Sequence, residues 1–496
     1  MKFPHPKFAQ FCRQLPPARQ MLAAAAFLSA TTAGLAQNLP AGQDDLQSLR
    51  EQVRQLDLKI QALERQQQQL RSGPAAPAVT AAPAPATAPI ITASTEKGFA
   101  IASADGANSL GLHLLVQEDS RWFFSQSAGL TNNDSFLIRR ARIFVDGRIN
   151  NNITFLLIPD FALGAPALFD AYANLELAPE FQLRFGRSRS PVGLEQLQLD
   201  AYTFFDERSF VSQIVPNRDI GVTLWGNLFD STLTYAVGVY DGVPDGQNNG
   251  AIAGTTVNSD ADNSKDVAAR LFYSPFKNVP DSVLKGLGFG LAGTVGRERP
   301  ASGLAGYKSD AAQTIFSYRA ATIIDGETVR IAPQANFYHG PLGLLAEYAS
   351  STIAARPTAT GIRERLTNRA WNFTVGYVLT GEDSSYVGVT PKTSFNWSKG
   401  TWGAFELVAR YDVLRIDPKA FAPDPSAALS LADPAASTRG ETNVGIGLNW
   451  YLNRAVRFNI DFFHGHFDNL LPAGALTNKV IQHDENALLT RFQVVF

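Results

Sequence analysis

From about residue 110 to the carboxyl terminus, large apolar side chains recur at every second position in run after run. In Trp371-Asn372-Phe373-Thr374-Val375-Gly376-Tyr377 the odd positions are large and apolar and the even ones polar or small. A period of two puts successive side chains on opposite faces of an extended strand, so each such strand has one apolar and one wet face. The same alternation runs through Phe169-Asp170-Ala171-Tyr172-Ala173-Asn174-Leu175-Glu176, through Phe405 to Asp412, through Val444 to Trp450 and through Arg457 to Phe462. No stretch beyond the amino terminus is apolar over the length that a membrane helix needs. Any crossing of a bilayer must then be made by strands closed into a barrel.

A soluble sandwich alternates as well, and the connections separate the two. Asn150-Asn151, Ala178-Pro179-Glu180, Gly226-Asn227-Leu228-Phe229, His339-Gly340-Pro341 and Leu452-Asn453-Arg454 read as tight turns. Between them lie long connections at 189–217, 242–264, 299–327, 353–368, 417–439 and 466–484. Short turns at one rim and long loops at the other are the arrangement of transmembrane barrels. On that parity the strands fall at 110–125, 136–149, 152–160, 168–177, 180–188, 218–226, 231–241, 265–275, 286–298, 328–338, 342–352, 369–380, 402–416, 440–452, 455–465 and 486–496. The expected fold is all-β, a sixteen-stranded antiparallel transmembrane barrel over 99–496 with an α-helical coiled coil ahead of it. Two places resist the parity: 381–401, a long connection where a short turn is due and read as an excursion on the periplasmic side, and 311–325, which could hold an extra hairpin.

The amino-terminal region carries Lys2, Lys7, Arg13 and Arg19, then Met21 to Leu28 as an apolar run, then small residues ending Gly34-Leu35-Ala36. This order reads as a secretory signal peptide over 1–36. Cys12, the only cysteine, lies inside it, so the exported chain would have neither a disulfide nor a thiol nucleophile. Over 37–71 the apolar spacing is heptad: Leu46, Val53 and Ile60 at a, Leu49, Leu56, Leu63 and Leu70 at d, with Gln67 at the last a and Lys59 placed to meet Glu64 of a neighbouring helix. The segment is expected to self-associate as a periplasmic coiled coil. From 72 to 98 Ala, Pro and Thr dominate, a composition that forms no packed core and makes a semi-rigid linker. The last run, Leu488 to Phe496, alternates and ends on an aromatic, and it resembles the C-terminal signal of outer-membrane barrels that the barrel-assembly machinery recognises.

Several segments resemble the phosphate-selective porin O and P family. These are Ile138-Arg139-Arg140-Ala141-Arg142-Ile143-Phe144-Val145-Asp146-Gly147, then Asp170-Ala171-Tyr172 through Leu183-Arg184-Phe185-Gly186-Arg187, Pro191-Val192-Gly193-Leu194-Glu195, Phe205-Asp206-Glu207-Arg208 and Pro216 to Val222. Gly343 to Tyr348, Gly403 to Tyr411 and Asn449 to Asn453 add to the likeness, which covers most of 100–496. The resemblance implies a homotrimeric outer-membrane porin of a Gram-negative bacterium, embedded in outer-membrane lipid, whose third external loop, about 189–217 here, folds inward to constrict a water-filled channel. It also implies an arginine ladder and a constriction residue that hand anions through.

Alternation places Arg140, Arg142, Arg148, Arg184, Arg270, Arg330, Arg410, Arg457 and Arg491 toward the lumen, and Arg187, Arg189, Arg208 and Arg218 are the constriction candidates. Guanidinium is always charged and offers bidentate hydrogen bonds, so a row of such groups favours oxyanions. The competing reading is structural pairing. Asp146, Asp160, Asp170, Glu176, Glu347, Glu406, Asp412 and Asp461 share the inferred wet face, and Glu195, Asp206, Glu207 and Asp219 surround the loop-three arginines. Family members selective for phosphate also use lysines, and Lys265, Lys277, Lys285, Lys308, Lys392, Lys399, Lys419 and Lys479 are scattered here, several at turns.

The expected function is passive diffusion of small anions, phosphate or polyphosphate being the family's solutes. The alternatives are a general small-solute porin and a structural barrel tethered by its coiled coil. No enzyme activity, cofactor, metal site or nucleic-acid partner is expected. His113, His339, His464, His466 and His483 have no nucleophile at a telling spacing, and His464-x-His466 supplies only two of the three or four ligands a metal site needs.

Overall fold

Strands that cross hydrocarbon cannot leave an edge of unpaired N–H and C=O groups, so the sheet must close on itself. The computed structural model shows this closure. It describes residues 54, 88–94, 98–124, 134–162, 164, 166–249, 263–302, 304, 306–358, 361–421 and 430–496. The chain divides into Met1–Ala84 and Pro85–Phe496. The expected signal peptide and coiled coil, and the linker before residue 88, lie outside the described residues, Arg54 excepted.

The barrel starts with β3 (Ser109–Phe123), β4 (Ser135–Ile149), β5 (Ile153–Asp160), β6 (Ala167–Ala178), β7 (Phe181–Arg189), β8 (Arg218–Leu228), β9 (Leu233–Tyr240), β10 (Asp266–Tyr273) and β11 (Gly288–Ser302). It continues through β14 (Ile323–His339), β15 (Leu342–Arg356), β16 (Glu364–Val378), β17 (Ala404–Arg415), β18 (Gly440–Tyr451), β19 (Val456–Phe467) and β20 (Glu485–Val495). Each pairs antiparallel with the next, and β20 returns to β3 in the register Ala487↔Phe123 to Val495↔Leu115. These sixteen are the strands that the alternation predicts. Phe496 completes the seam, its carbonyl accepting from Leu114 N–H at 2.9 Å and its N–H donating back to Leu114 at 3.1 Å.

Two more strands precede the barrel. Ile90–Ser94 (β1) pairs with Gly98–Ala102 (β2), and β2 pairs with the first residues of β3 through Phe99↔Leu112 and Ala102↔Ser109. The composition of 72–98 points to an extended linker, but Ile90 and Ile91 are β-branched and find a partner strand, so the last part of that segment belongs to the sheet. At the long-loop rim β12 (Tyr307–Lys308) and β13 (Thr314–Phe316) form a small separate hairpin that begins four residues before the 311–325 window and has its second strand inside it.

The distribution of side chains is inverted relative to a soluble protein. Val237, Leu271, Leu291, Ile331, Phe373, Leu407, Ile446 and Phe492 stand exposed on the outside. Arg330, Arg410, Arg457 and Arg491 are among the largest fully buried side chains. At the short-turn rim Phe395, Trp397, Trp402, Phe405 and Trp450 form a contiguous aromatic cluster with ring centroids 5.4 to 6.3 Å apart, the girdle expected where a barrel meets an interface.

Two local irregularities decide which arginines face inward. Opposite Gln117 and Glu118 the β3–β4 register shifts, so Gln117 faces Arg140 and Glu118 faces Ile138, leaving Arg139 as the bulged residue. Gly186 has φ of 117°, and a Cβ there would lie 2.4 Å from the carbonyl oxygen of Ala171. This break lets Arg184 line the interior while Phe185 stands outside and Arg187, three residues after Arg184, is also buried. Gly186→Ala forces an L side chain into that backbone region, and we expect a loss of about 1–3 kcal/mol, read as a lower temperature for the loss of the heat-modifiable folded band on electrophoresis.

Candidate functional site: the loop-three cleft

The connection 190–217, loop three, leaves β7 and crosses the barrel interior before returning to β8. It holds two single-turn helices, α1 (Leu194–Leu197) and α2 (Val211–Ile214). The strand walls bind it on several sides. The Glu347 carboxylate accepts from the N–H groups of Leu194 and Glu195 at the start of α1. Gln117 and Gln493 donate to the carbonyls of Asp200 and Ala201 at 3.2 and 3.1 Å, and Arg457 donates to that of Thr203 at 2.9 Å. Asp461 and Asp412 accept from the N–H groups of Asp206 and Phe210, both at 2.8 Å. A loop with only two helical turns of its own is thereby buried, wall side chains bonding much of its remaining backbone.

The centre of the loop is charged. Asp200 meets Arg140 at 3.2 Å, Arg142 at 2.5 Å, Arg189 at 3.0 Å and Arg208 at closer range still. Burial pushes the Asp200 carboxyl upward, but those four guanidiniums outweigh it and hold the group well below the usual carboxylate range. Glu207 behaves alike: burial raises it, Arg139 at 2.6 Å leads the opposing charges, and the net direction is down. Asp206 has its backbone carbonyl bound by Arg491 but its carboxyl buried, and burial pushes it up to about 6.

The lumen arginines divide by partner. Arg140, Arg142, Arg148, Arg330, Arg410 and Arg491 are in ion pairs: Arg142 also with Asp160 at 2.7 Å, Arg148 with Glu176 at 2.8 Å, Arg330 with Asp245 at 2.7 Å, Arg410 with Glu195 at 3.0 Å, and Arg491 bidentate to Asp119 at 2.6 and 2.7 Å. Arg270 instead meets the Gln334 amide at 3.0 Å and the Phe272 ring. Arg184 stacks on Tyr172 and Trp225, 4.5 and 5.3 Å from the ring centroids. Arg184, Arg270, Arg457 and the buried Arg187 have no carboxylate within ion-pair distance among the described residues.

The four constriction candidates are not all on the loop. Arg187 and Arg189 end β7 and Arg218 begins β8, where it pairs with Asp170 at 2.9 Å. Only Arg208 lies within loop three, and it folds back on that loop, donating to the carbonyls of Glu195 and Gln198 at 3.0 and 2.6 Å. The alternation did not mark Arg139, which reaches inward from the bulge, nor Arg121, which meets Glu207 at 3.0 Å from the same face of β3 as Gln117 and Asp119. Asp200 and Asp245 lie in loops without periodicity and carry no sequence signal.

Open space remains along one wall. A cleft of about 320 Å³ runs between β4–β8 and the loop-three residues Leu197 and Leu199, lined by Arg142, Arg184, Arg189 and Arg218 with Asp170, Tyr172 and Ser188. Arg142 and Arg218 both lie over the Phe169 ring, at 4.2 and 4.7 Å, which holds two cations apart on one apolar plate. A second cavity of about 170 Å³ reaches the short-turn rim beside His113, Asp146, Arg454 and Phe496, and it shares Phe144, Leu156 and Leu199 with the first. Opposite this wall the space is filled. Loop three meets residues of the 379–403 connection, where Tyr386 Oη donates to Leu194 carbonyl at 2.5 Å and Gln198 Nε2 donates to Tyr386 carbonyl at 2.7 Å. The connection 381–401 therefore sits at the short-turn rim and sends part of its length inward.

No curated protein matches the chain. Among solved structures it is similar to the trimer form of OmpT, an outer membrane protein of Vibrio cholerae, at 11% identity and a TM-score of 0.47, covering 79% of this chain and 100% of that one. It is similar to the outer membrane channel DcaP of Acinetobacter baumannii at 11% identity and a TM-score of 0.47, covering 79% and 98%. It is also similar to Salmonella typhi OmpF in complex with daunomycin at 12% identity and a TM-score of 0.44, again covering 79% and 98%. The model of phosphate-selective porin O and P matches residues 116–496, which are nearly all of the barrel and the whole of the cleft, and the chain belongs to that family of outer-membrane porins.

Proposed function

We propose that the protein passes small anions through the outer membrane by diffusion along the cleft between β4–β8 and loop three, with loop three as the constriction. The observation that carries this reading is the charge of the cleft wall. Arg142, Arg184, Arg189 and Arg218 face the space, whereas Asp170 is the one acid among its lining residues. Arg187 is buried nearby with its Nε and Nη2 unbonded among the described residues. An anion entering meets guanidinium donors whose charge is only partly balanced, in a narrow passage where fields are weakly screened.

The paired arginines have a different role in this reading. Arg140, Arg410 and Arg491 fasten loop three to the wall, Arg208 braces the loop against itself through Asp200, and Arg330 fastens the fourth external loop through Asp245. Phosphate and polyphosphate are the solutes the family suggests, and the absence of lysine from the cleft lining favours a broader anion preference. A homotrimer, folded by the barrel-assembly machinery and surrounded by outer-membrane lipid, is the assembly we propose, with the amino-terminal heptads in the periplasm.

Planar-bilayer recordings test the reading. Arg184→Ala combined with Arg187→Ala should move the reversal potential in a KCl gradient toward cation preference, with the anion-to-cation permeability ratio falling by roughly two- to tenfold. An unchanged ratio would remove the two arginines from the pathway. Selectivity of the unmodified protein should also weaken between about 0.1 M and about 1 M salt, because the Debye length shrinks from ~10 Å to ~3 Å. Block of the chloride current by millimolar phosphate would narrow the solute to phosphate, and a current indifferent to phosphate would favour general small-anion diffusion.

A further inference from the structure

The long-loop rim holds a second buried charge cluster that the cleft does not use. The hairpin of β12 and β13 turns at Ser309-Asp310-Ala311-Ala312, with Ala312 N–H donating to Ser309 carbonyl at 2.8 Å and Ala312 at φ of 62°. This tip points into the barrel. Ser309, Asp310 and Ala311 are 3%, 1% and 0% exposed, and Ala311 packs with Ala487, Leu489 and Phe463 of the wall.

The wall it meets is acidic. Asp412 on β17, Glu441 on β18 and Glu485 on β20 are all buried, and Asn443, paired in register with Asp412, is 0% exposed with both amide atoms unbonded among the described residues. Gly465 lies between Asn443 and Glu485 in the ladder, and a Cβ there would come within 2.3 Å of Glu441 Oε1, so its lack of a side chain is what lets Glu441 lean toward Glu485. The charges that face the tip from other elements do not neutralise it. Arg410 is 3.6 Å from Asp310 but already holds Glu195 at 3.0 Å, Arg121 of β3 is held by Glu207, and Glu195 and Glu207 themselves add negative charge from loop three.

Four carboxyl groups thus lie buried together, and Arg410, shared with Glu195, is the one cation within ion-pair distance of them among the described residues. Among the described residues no three ligating side chains converge closely enough to hold a metal ion. We infer that the tip of this fifth external loop is a proton-controlled latch: Asp310 stays seated against Asp412, Glu441 and Glu485 while the four groups share protons, and the hairpin leaves the lumen as they ionise. Like charges brought together in low dielectric cannot all be ionised, so either protons remain or the groups separate.

Direction follows from linkage. Burial raises the Asp310 carboxyl from 3.8 to about 7, with Arg410 opposing and Glu195 and Glu207 reinforcing. A carboxyl raised in the seated state stabilises seating fully below its ordinary value, and that stabilisation is lost as pH climbs toward the raised one. Seating should therefore be firm near pH 4 and weaken through pH 7.

Hydrogen exchange of the full-length protein, corrected for the intrinsic pH dependence of exchange, reads the tip directly. Peptides covering 306–318 should lose protection at least tenfold between about pH 5 and about pH 8 while barrel strands keep theirs. Asp310→Asn, which cannot ionise, should hold the tip protected at the higher pH, and Glu441→Gln with Glu485→Gln should do the same if the tip mutation perturbs folding. Conductance should rise over the same interval in the unmodified protein and stay flat in Asp310→Asn. Equal protection at both pH values, or an Asp310→Asn profile that follows the unmodified one, overturns the latch. So does protection at the higher pH that calcium restores and a chelator removes, since a cation would then be holding the pocket.

Discussion

Everything inside this protein depends on the seam between β20 and β3. Closing the sheet there satisfies the last free edge and encloses a space that sixteen strands hold too wide for wall side chains alone to fill. The outer face can then be apolar without penalty in lipid, and the inner face must find water or polar partners. The buried arginines and carboxylates answer that second requirement. They are the surface of a solvated interior onto which loops have been drawn.

The loops are held by charge more than by packing on the loop-three side and by apolar contact on the other. Loop three contributes backbone carbonyls and three carboxylates, Glu195, Asp200 and Glu207, which wall arginines grip from several strands. Around α2 the balance shifts: Val211, Ile214 and Val215 join Tyr307, Phe316, Phe421, Leu431 and Ile481 in one apolar cluster drawn from the long loops. The result is an off-centre cleft, with the β4–β8 wall bare and the opposite wall covered. The cleft is lined by the arginines of few strands, and the partners of the remaining ones explain why most lumen guanidiniums contribute to architecture.

The fold was legible because period-two alternation and connection length are local properties of the chain. The strand positions follow from them, down to β20 and Phe496. Sites were legible only where strands stay regular. Arg140, Arg142 and Arg410 fall on the inner face by simple counting. Arg139 does not, because a bulge opposite Gln117 and Glu118 inserts a residue, and Arg187 is buried because Gly186 breaks the count. Asp200, Asp245 and Asp310 reach the interior from loops, where their positions depend on contacts far apart in sequence. The amino-terminal strand β1 was hidden for another reason: a composition rich in Ala, Pro and Thr describes the whole segment, and pairing with β2 is decided by five residues at its end.

The convergence of four guanidiniums on Asp200 has a consequence for how this region tolerates change. Each arginine has alternatives: Arg142 keeps Asp160, Arg140 keeps the Gln117 amide, and Arg189 and Arg208 keep loop carbonyls. The carboxylate has no substitute. Loss of any one cation would be absorbed by the others, while loss of the single anion would leave four positive charges facing one another across β4, β7 and the loop. Variation should therefore accumulate among the many donors and be purged at the lone acceptor, an asymmetry in which the least conspicuous residue of the site is the one least free to drift.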